Sequence, residues 1–131
     1  MLTLADAISL RVLYTAALIA AGGAGAVTLV APKLAAEKLF YGAVEVGVYM
    51  RILGAVWLGL GVIAGIGLVH PLEMAGILLV QLVYKTAWVV LAALPAIISG
   101  KRDTALLLLT IVFSIWALAI LFLFPFAVVF A

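Results

Sequence analysis

A lysine in the middle of a long apolar stretch is the residue of this sequence best suited to chemistry. Lys85 lies near the centre of residues 72–99, where nearly all other side chains are apolar. In a helix, Gln81 and Trp88 share a face with Lys85 at spacings of four and three residues. Tyr84 lies beside them. The cluster predicts a binding site for an anionic or carbonyl-bearing headgroup, or a lysine that exchanges a proton.

The same lysine also has a structural interpretation. It can donate to backbone carbonyls, or to Thr110 and Ser114 of a neighbouring helix, and so set the register of a bundle without any ligand. At the centre of a bilayer a charged side chain costs roughly 2.5–3.5 kcal/mol on insertion scales, so Lys85 must either find polar partners inside the protein or be neutral. Both interpretations stay open at the level of the sequence.

Two charged residues outside this stretch complete the predicted site. Glu45 is the carboxylate best placed to neutralise Lys85, provided that its segment folds toward the bundle. Arg51 competes for that carboxylate, and a Glu45–Arg51 pair that leaves Lys85 to polar oxygens is the simpler arrangement. The predicted ligand-binding residues are Lys85, Gln81, Tyr84, Trp88, Arg51 and Glu45.

The other reactive residue types are too few to support most kinds of site. The chain has no cysteine and one histidine, which leaves few ways to build a metal site. Its basic residues are scattered and form no stripe that could follow a phosphate backbone, so we predict no nucleic-acid partner. We also predict no catalytic residue, no metal ion and no cofactor other than a bound lipid or quinone.

The composition predicts an integral membrane protein. Hydrophobic residues make up 70% of the chain and charged residues 9%, against roughly 45–50% and about 25% in soluble domains. A chain of this size cannot bury such an excess, so lipid must be the solvent of its outer surface.

Four long apolar runs match the roughly 20 residues that a helix needs to cross a bilayer. They predict an all-α, four-helix membrane bundle that forms one domain over residues 1–131. The predicted helices cover about 8–31, 46–69, 72–99 and 104–129. Proline is expected to kink the third helix at Pro95 and to end or bend the fourth at Pro125.

The predicted connections differ in length and character. Residues 32–45 mix charged with apolar side chains, and they fit either a short helix at the membrane interface or an extension of the second helix. His70 and Pro71 form a tight link, and Pro71 is expected to occupy the first position of the third helix.

Basic residues near the helix ends predict the orientation. Five of them, Lys33, Lys38, Arg51, Lys101 and Arg102, lie on the side of the first and third connections, whereas Arg11 lies on the other. Basic residues favour the cytoplasmic side. Both termini are therefore expected to be extracytoplasmic, in a bacterial or archaeal plasma membrane.

Small residues predict where the helices touch. The first helix has glycines and alanines between Ala20 and Ala26, and the second has five glycines, including Gly61 and Gly65 four residues apart. Close backbone approach drives helix association in lipid, so these two helices are expected to be in contact. The fourth helix has large apolar residues and is expected to face lipid.

Two stretches carry a family resemblance. Residues 51–61 read Arg-Ile-Leu-Gly-Ala-Val-Trp-Leu-Gly-Leu-Gly, and residues 81–88 read Gln-Leu-Val-Tyr-Lys-Thr-Ala-Trp. Together they resemble DoxX-like small bacterial four-helix membrane proteins, over roughly residues 45–120. The resemblance implies a four-helix membrane fold and an association with membrane oxidoreductase systems and quinones, but no catalytic residue.

Two functional hypotheses follow. The first is an accessory subunit or a lipid- or quinone-binding module of a membrane complex, with its site at Lys85. The alternative is an oligomeric small transporter or channel in which Lys85 lines an anion path. The expected partners are membrane lipid and either other membrane subunits or further copies of the chain.

Overall fold

The chain is entirely helical apart from its turns. The computed structural model describes residues 1–131. Its helices are α1 (Leu4–Val30, with a π-helical turn at Leu18–Gly22), α2 (Pro32–Lys38), α3 (Val48–Gly67), α4 (Gly76–Ile98, with a π-helical turn at Val89–Ala93), α5 (Thr104–Leu123) and α6 (Phe126–Val129). The helices α1, α3, α4 and α5 are long and apolar enough to cross a membrane. The predicted all-α, four-helix membrane bundle is confirmed.

A capping box starts α1 earlier than predicted. The Asp6 backbone N–H donates to Thr3 Oγ1 at 3.1 Å, and the Thr3 N–H donates to the Asp6 carboxylate at 3.2 Å. These bonds satisfy two groups that a helix N-terminus leaves without partners. The helix therefore begins at Leu4.

The segment between the first two membrane helices forms a helix of its own. Pro32 occupies the first turn of α2, where its missing N–H costs no hydrogen bond. Tyr41 and Gly42 then take positive φ angles of 49° and 78°, which interrupt the helical path. Because α3 begins only at Val48, this segment does not extend the second membrane helix. The short separate helix is the interpretation that matches the structure.

The turn between α3 and α4 is longer than predicted. Helix α4 begins at Gly76, and Pro71 lies in the preceding turn, not at the first helical position. Two side chains of α1 bind carbonyls of this turn. The Tyr14 hydroxyl donates to the Pro71 carbonyl at 2.5 Å, and Arg11 Nε donates to the Leu68 carbonyl at 3.2 Å. The carbonyls are thus satisfied without helical geometry.

Prolines shape the end of α5 and the course of α4. Phe124 is extended, with ψ of 125°, because the residue before a proline is restricted to that region. Helix α5 therefore stops at Leu123 and α6 is separate. The expected end at Pro125 is confirmed, and the predicted bound of 129 is too long. In α4 a π-helical turn directly precedes Pro95, and both features are recognised causes of helix bending.

Helices α1 and α3 meet backbone to backbone, as predicted. A Cβ added at Gly61 would collide with the Gly22 backbone, and one added at Gly25 would collide with the α3 backbone. Gly65 differs, because its nearest neighbour is the Leu18 side chain at 3.6 Å, an ordinary contact. Of the two glycines four residues apart, only Gly61 marks the close approach.

The buried side chains form two apolar clusters. The first consists of Leu10, Leu13, Tyr14, Ala17, Ala64, Ala75, Leu78, Ile120 and Phe124. The second consists of Ala21, Ala35, Ala36, Phe40, Met50, Trp57 and Leu60. Partly buried Tyr84 and Phe113 pack against the second cluster. Helix α5 buries only Ala105 and Ile120, which agrees with a mainly lipid-facing fourth membrane helix.

Candidate binding site around Lys85

Lys85 is buried in the bundle and bonded to its own helix. Its side chain is 8% exposed, and Gln81, one turn earlier on α4, is 0% exposed. The ammonium donates to Gln81 Oε1 at 3.0 Å. An amide oxygen, not a carboxylate, is therefore the hydrogen-bond acceptor of this buried cation.

Aromatic rings surround the ammonium. Lys85 Nζ lies 5.4 Å from the ring centroid of Tyr84, 5.3 Å from that of Phe113 and 4.9 Å from that of Trp116. At these distances the electron-rich face of a ring attracts a cation. Phe113 and Trp116 are three residues apart on α5 and so share one face. This face of α5 covers the lysine, while its other side remains exposed.

The site holds more hydrogen-bond donors than acceptors. Gln81 Nε2, the Tyr84 hydroxyl and Trp116 Nε1 are buried and have no partner. An ammonium carries three donors, and Lys85 uses one of them on protein. Buried polar groups without partners cost free energy. The arrangement therefore suits a ligand that supplies hydrogen-bond acceptors.

An apolar cavity of about 340 Å³ adjoins the lysine. All four membrane helices and the segment after α2 contribute to its walls. Its lining residues are Ala20, Ala21, Ala24, Lys38, Leu39, Phe40, Tyr41, Trp57, Tyr84, Lys85, Leu108, Leu109, Val112 and Phe113. The volume lies within the range of small-molecule sites.

The cavity reaches the outer surface of the bundle at α1 and α5, and also at Lys38 and Tyr41. Ala20 of α1 and Leu108 and Val112 of α5 line it and are also exposed on the outer surface of the bundle. In a membrane this surface faces acyl chains. A lipid-soluble molecule can therefore enter from the bilayer without crossing the bundle.

A second cavity, of about 350 Å³, lies next to the first. The two share five lining residues, Phe40, Leu109, Trp57, Tyr84 and Phe113. Phe40 and Trp57 stack with ring centroids 6.0 Å apart and planes 10° apart. Aromatic side chains therefore separate the two spaces.

The structure brings together four of the six predicted site residues. Gln81 and Lys85 are bonded, and Tyr84 lies beside them. Trp88 packs edge-on against Phe113, with centroids 5.3 Å apart, and lines the second cavity. The spacing along one helix thus correctly predicted that these four residues lie together, and their part in ligand binding stays a prediction.

Glu45 and Arg51 do not join the site. Both are exposed, and neither lines the cavity at Lys85. Arg51 Nε donates to the Leu29 carbonyl at the end of α1, at 3.2 Å. The expected Glu45–Arg51 pair is therefore replaced by a bond between helices.

The proposed structural partners of Lys85 on α5 are also not used. Thr110 donates to the Leu106 carbonyl one turn earlier at 2.6 Å, which is common for a hydroxyl in an apolar helix. Lys85 bonds within its own helix. Its hydrogen bond therefore does not set the register between α4 and α5.

Most residues around the cavity were not predicted from the sequence, and four of them contact Lys85 or shape its surroundings. Lys38 and Phe40 come from the segment after the first membrane helix, and Phe113 and Trp116 come from α5. The mixed charged and apolar character of residues 32–45 was the available signal for the first two. No group of three or more His, Cys, Asp or Glu side chains is positioned to hold a metal ion.

Comparison of the chain with protein-family models, with curated protein sequences and with solved structures gave no match.

Proposed function

We propose that this chain is a non-catalytic membrane component that binds a lipid-soluble molecule with a hydrogen-bond-accepting headgroup, a lipid or a quinone. The site is the cavity at Lys85. The protein acts as a binding module or accessory subunit of a membrane complex.

Unpartnered buried donors beside an apolar cavity support this proposal. Leaving a buried polar group without a partner costs about 1–3 kcal/mol. Gln81, Tyr84 and Trp116, which all contact the Lys85 ammonium, each carry one such atom. A carbonyl or acidic headgroup supplies the missing acceptors, and an apolar tail fits walls made mostly of apolar and aromatic side chains. If Lys85 served only to stabilise the bundle, no cavity would be required beside it.

The apolar helices also indicate that the chain lies in a membrane, and the basic residues indicate on which side its termini lie. Four apolar helices make the chain an integral membrane protein. We propose a bacterial or archaeal plasma membrane with both termini on the extracytoplasmic side, on the basic-residue bias. The resemblance to DoxX-like proteins supports a partner among membrane oxidoreductase systems.

Native mass spectrometry of detergent-extracted protein tests the proposal. Wild-type protein is expected to retain a bound lipid or quinone, and Lys85→Met is expected to lose it while staying folded. Gln81→Leu is expected to lower the occupancy in the same direction. The same spectra report copy number and co-purified subunits, so a closed ring without a bound molecule would favour the channel alternative.

Lys101→Met is the matched control, because Lys101 is exposed and does not line the cavity. This variant is expected to keep wild-type occupancy. A folded Lys85→Met protein with its bound molecule at wild-type occupancy would contradict the proposal. A circular-dichroism melt of each variant establishes that it is folded.

A further inference from the structure

We infer that the ligand of the Lys85 cavity is an anionic amphiphile with a single acyl chain, held by both Lys85 and Lys38. This inference rests on the proposed function and specifies its ligand class. The cavity is expected to bind an acid more tightly than a neutral quinone or ester.

Two lysines are the only lining residues that are neither apolar nor aromatic. Twelve of the fourteen lining residues are hydrophobic, and the other two are Lys38 and Lys85. Lys85 is buried in the middle of α4, whereas Lys38 is the last residue of α2 and is exposed. No aspartate or glutamate lines the cavity. Its fixed charge is therefore wholly positive.

An anion suits this charge distribution better than a neutral molecule does. A neutral headgroup accepts hydrogen bonds but leaves both ammonium groups without a counter-charge. A carboxylate accepts hydrogen bonds and also supplies the counter-charge. Hydrogen bonds between an ammonium and a carboxylate are charge-assisted and stronger than neutral ones. Of the cavity's own lining residues, Tyr84 adds a buried hydroxyl without a partner.

The size of the cavity matches one chain. A volume of about 340 Å³ lies at the small end of the range for small-molecule sites. It is enough for a small acidic headgroup and part of one acyl chain. The rest of the chain leaves at the outer surface of α1 and α5, where Leu108 and Val112 are exposed.

Competition between matched ligands tests the inference. Delipidated protein in detergent is titrated with a long-chain fatty acid, with its methyl ester, with the alcohol of the same length and with a quinone, all at equal mole fraction in the micelle. Tryptophan fluorescence reports occupancy, because Trp57 lines the cavity and Trp116 lies over Lys85. The fatty acid is expected to bind at least about tenfold more tightly than the ester, the alcohol or the quinone.

Lysine variants identify the groups that give this preference. Lys38→Gln is expected to reduce the preference for acid over ester several-fold, whereas Lys85→Met is expected to lose binding of the acid altogether. Lys33→Gln is the matched control, because Lys33 belongs to the same short helix, is exposed and does not line the cavity. It is expected to keep the wild-type preference.

The outcomes separate this inference from the proposed function. Equal binding of acid and ester, or tighter binding of the quinone, overturns the anionic ligand while the binding function stands. An unchanged preference in Lys38→Gln overturns the two-lysine site. Failure of wild-type protein to bind any of the four ligands overturns the proposed function itself.

Discussion

Lys85 donates to the side-chain oxygen of Gln81 at 3.0 Å, one turn earlier on the same helix. Both side chains are buried, and the Gln81 amide nitrogen has no partner. Each residue therefore depends on the other for the one hydrogen bond that the protein provides at this site. This dependence has a measurable consequence for stability.

Removing either partner of this pair should cost more than removing both. In delipidated protein, Gln81→Leu leaves a buried ammonium without its acceptor, and Lys85→Met leaves a buried amide without its donor. We expect losses of about 1–3 kcal/mol, larger for Gln81→Leu because the orphaned group is charged. The double variant should recover part of the loss, since replacing both partners by apolar groups is often nearly neutral.

Thermal unfolding in detergent of the two single variants and the double variant measures this coupling. Strictly additive losses would show that the hydrogen bond contributes nothing to stability.

Glycines on α3 should differ sharply in their tolerance of a methyl group. Gly61→Ala is expected to lower the free energy of unfolding by about 1–3 kcal/mol, because its Cβ collides with the Gly22 backbone. Gly65→Ala should have little effect, since only a side chain lies nearby. Detergent melts compare the variants.

Gly59→Ala provides the control on the same helix. Nothing lies within 4 Å of its added Cβ, and alanine favours a helix over glycine by up to about 1 kcal/mol. This variant should be neutral or slightly stabilised. A loss equal to that of Gly61→Ala would mean that α1 does not pack against this face.

The turn between α3 and α4 should weaken when Tyr14 loses its hydroxyl. Tyr14→Phe keeps the ring, which packs against Gly67, but leaves the Pro71 carbonyl without its donor. We expect a loss of about 1 kcal/mol, measured by thermal unfolding. Tyr49→Phe is the control, because Tyr49 is 87% exposed, and it should behave like wild type. An unchanged Tyr14→Phe protein would show that water or lipid replaces this bond.

Reporter fusions should place both ends of the chain on one side of the membrane. A fusion after Ala131 is expected to behave as extracytoplasmic, and an insertion at Lys101 as cytoplasmic, because basic residues favour the cytoplasmic side. A cytoplasmic C-terminus would contradict the proposed orientation while leaving the four-helix fold intact.

Much of the fold is local and could be predicted from the sequence. Twenty apolar residues in a row have only helical geometry open to them in lipid, because every backbone group must bond within its own segment. The positions of the four membrane helices followed from this rule alone. The fourth helix was predicted to reach residue 129 because its apolar composition continues past Pro125, although the proline itself was expected to end or bend the helix there, as it does.

The part of the site that lies on one helix was equally predictable. Gln81 and Lys85 meet because residues four apart on a helix are neighbours, whatever surrounds them. Their bond needs no tertiary contact. The charged pair Glu45 and Arg51 failed as a prediction because each partner's position depends on a turn, and a carbonyl of α1 was the nearer acceptor for Arg51.

The cavity and its second lysine depend on the packing of distant segments. Lys38 lines the same cavity as Lys85 because α2 packs Ala35 and Ala36 into the second apolar cluster. Likewise, the α5 aromatics cover Lys85 only because the two helices pack at one particular rotation. Apolar pattern decides which residues enter the membrane, since transfer into lipid is a property of each segment. Contacts between segments decide which polar groups meet, since lipid offers no hydrogen bonds and each group must find its partner in the folded protein.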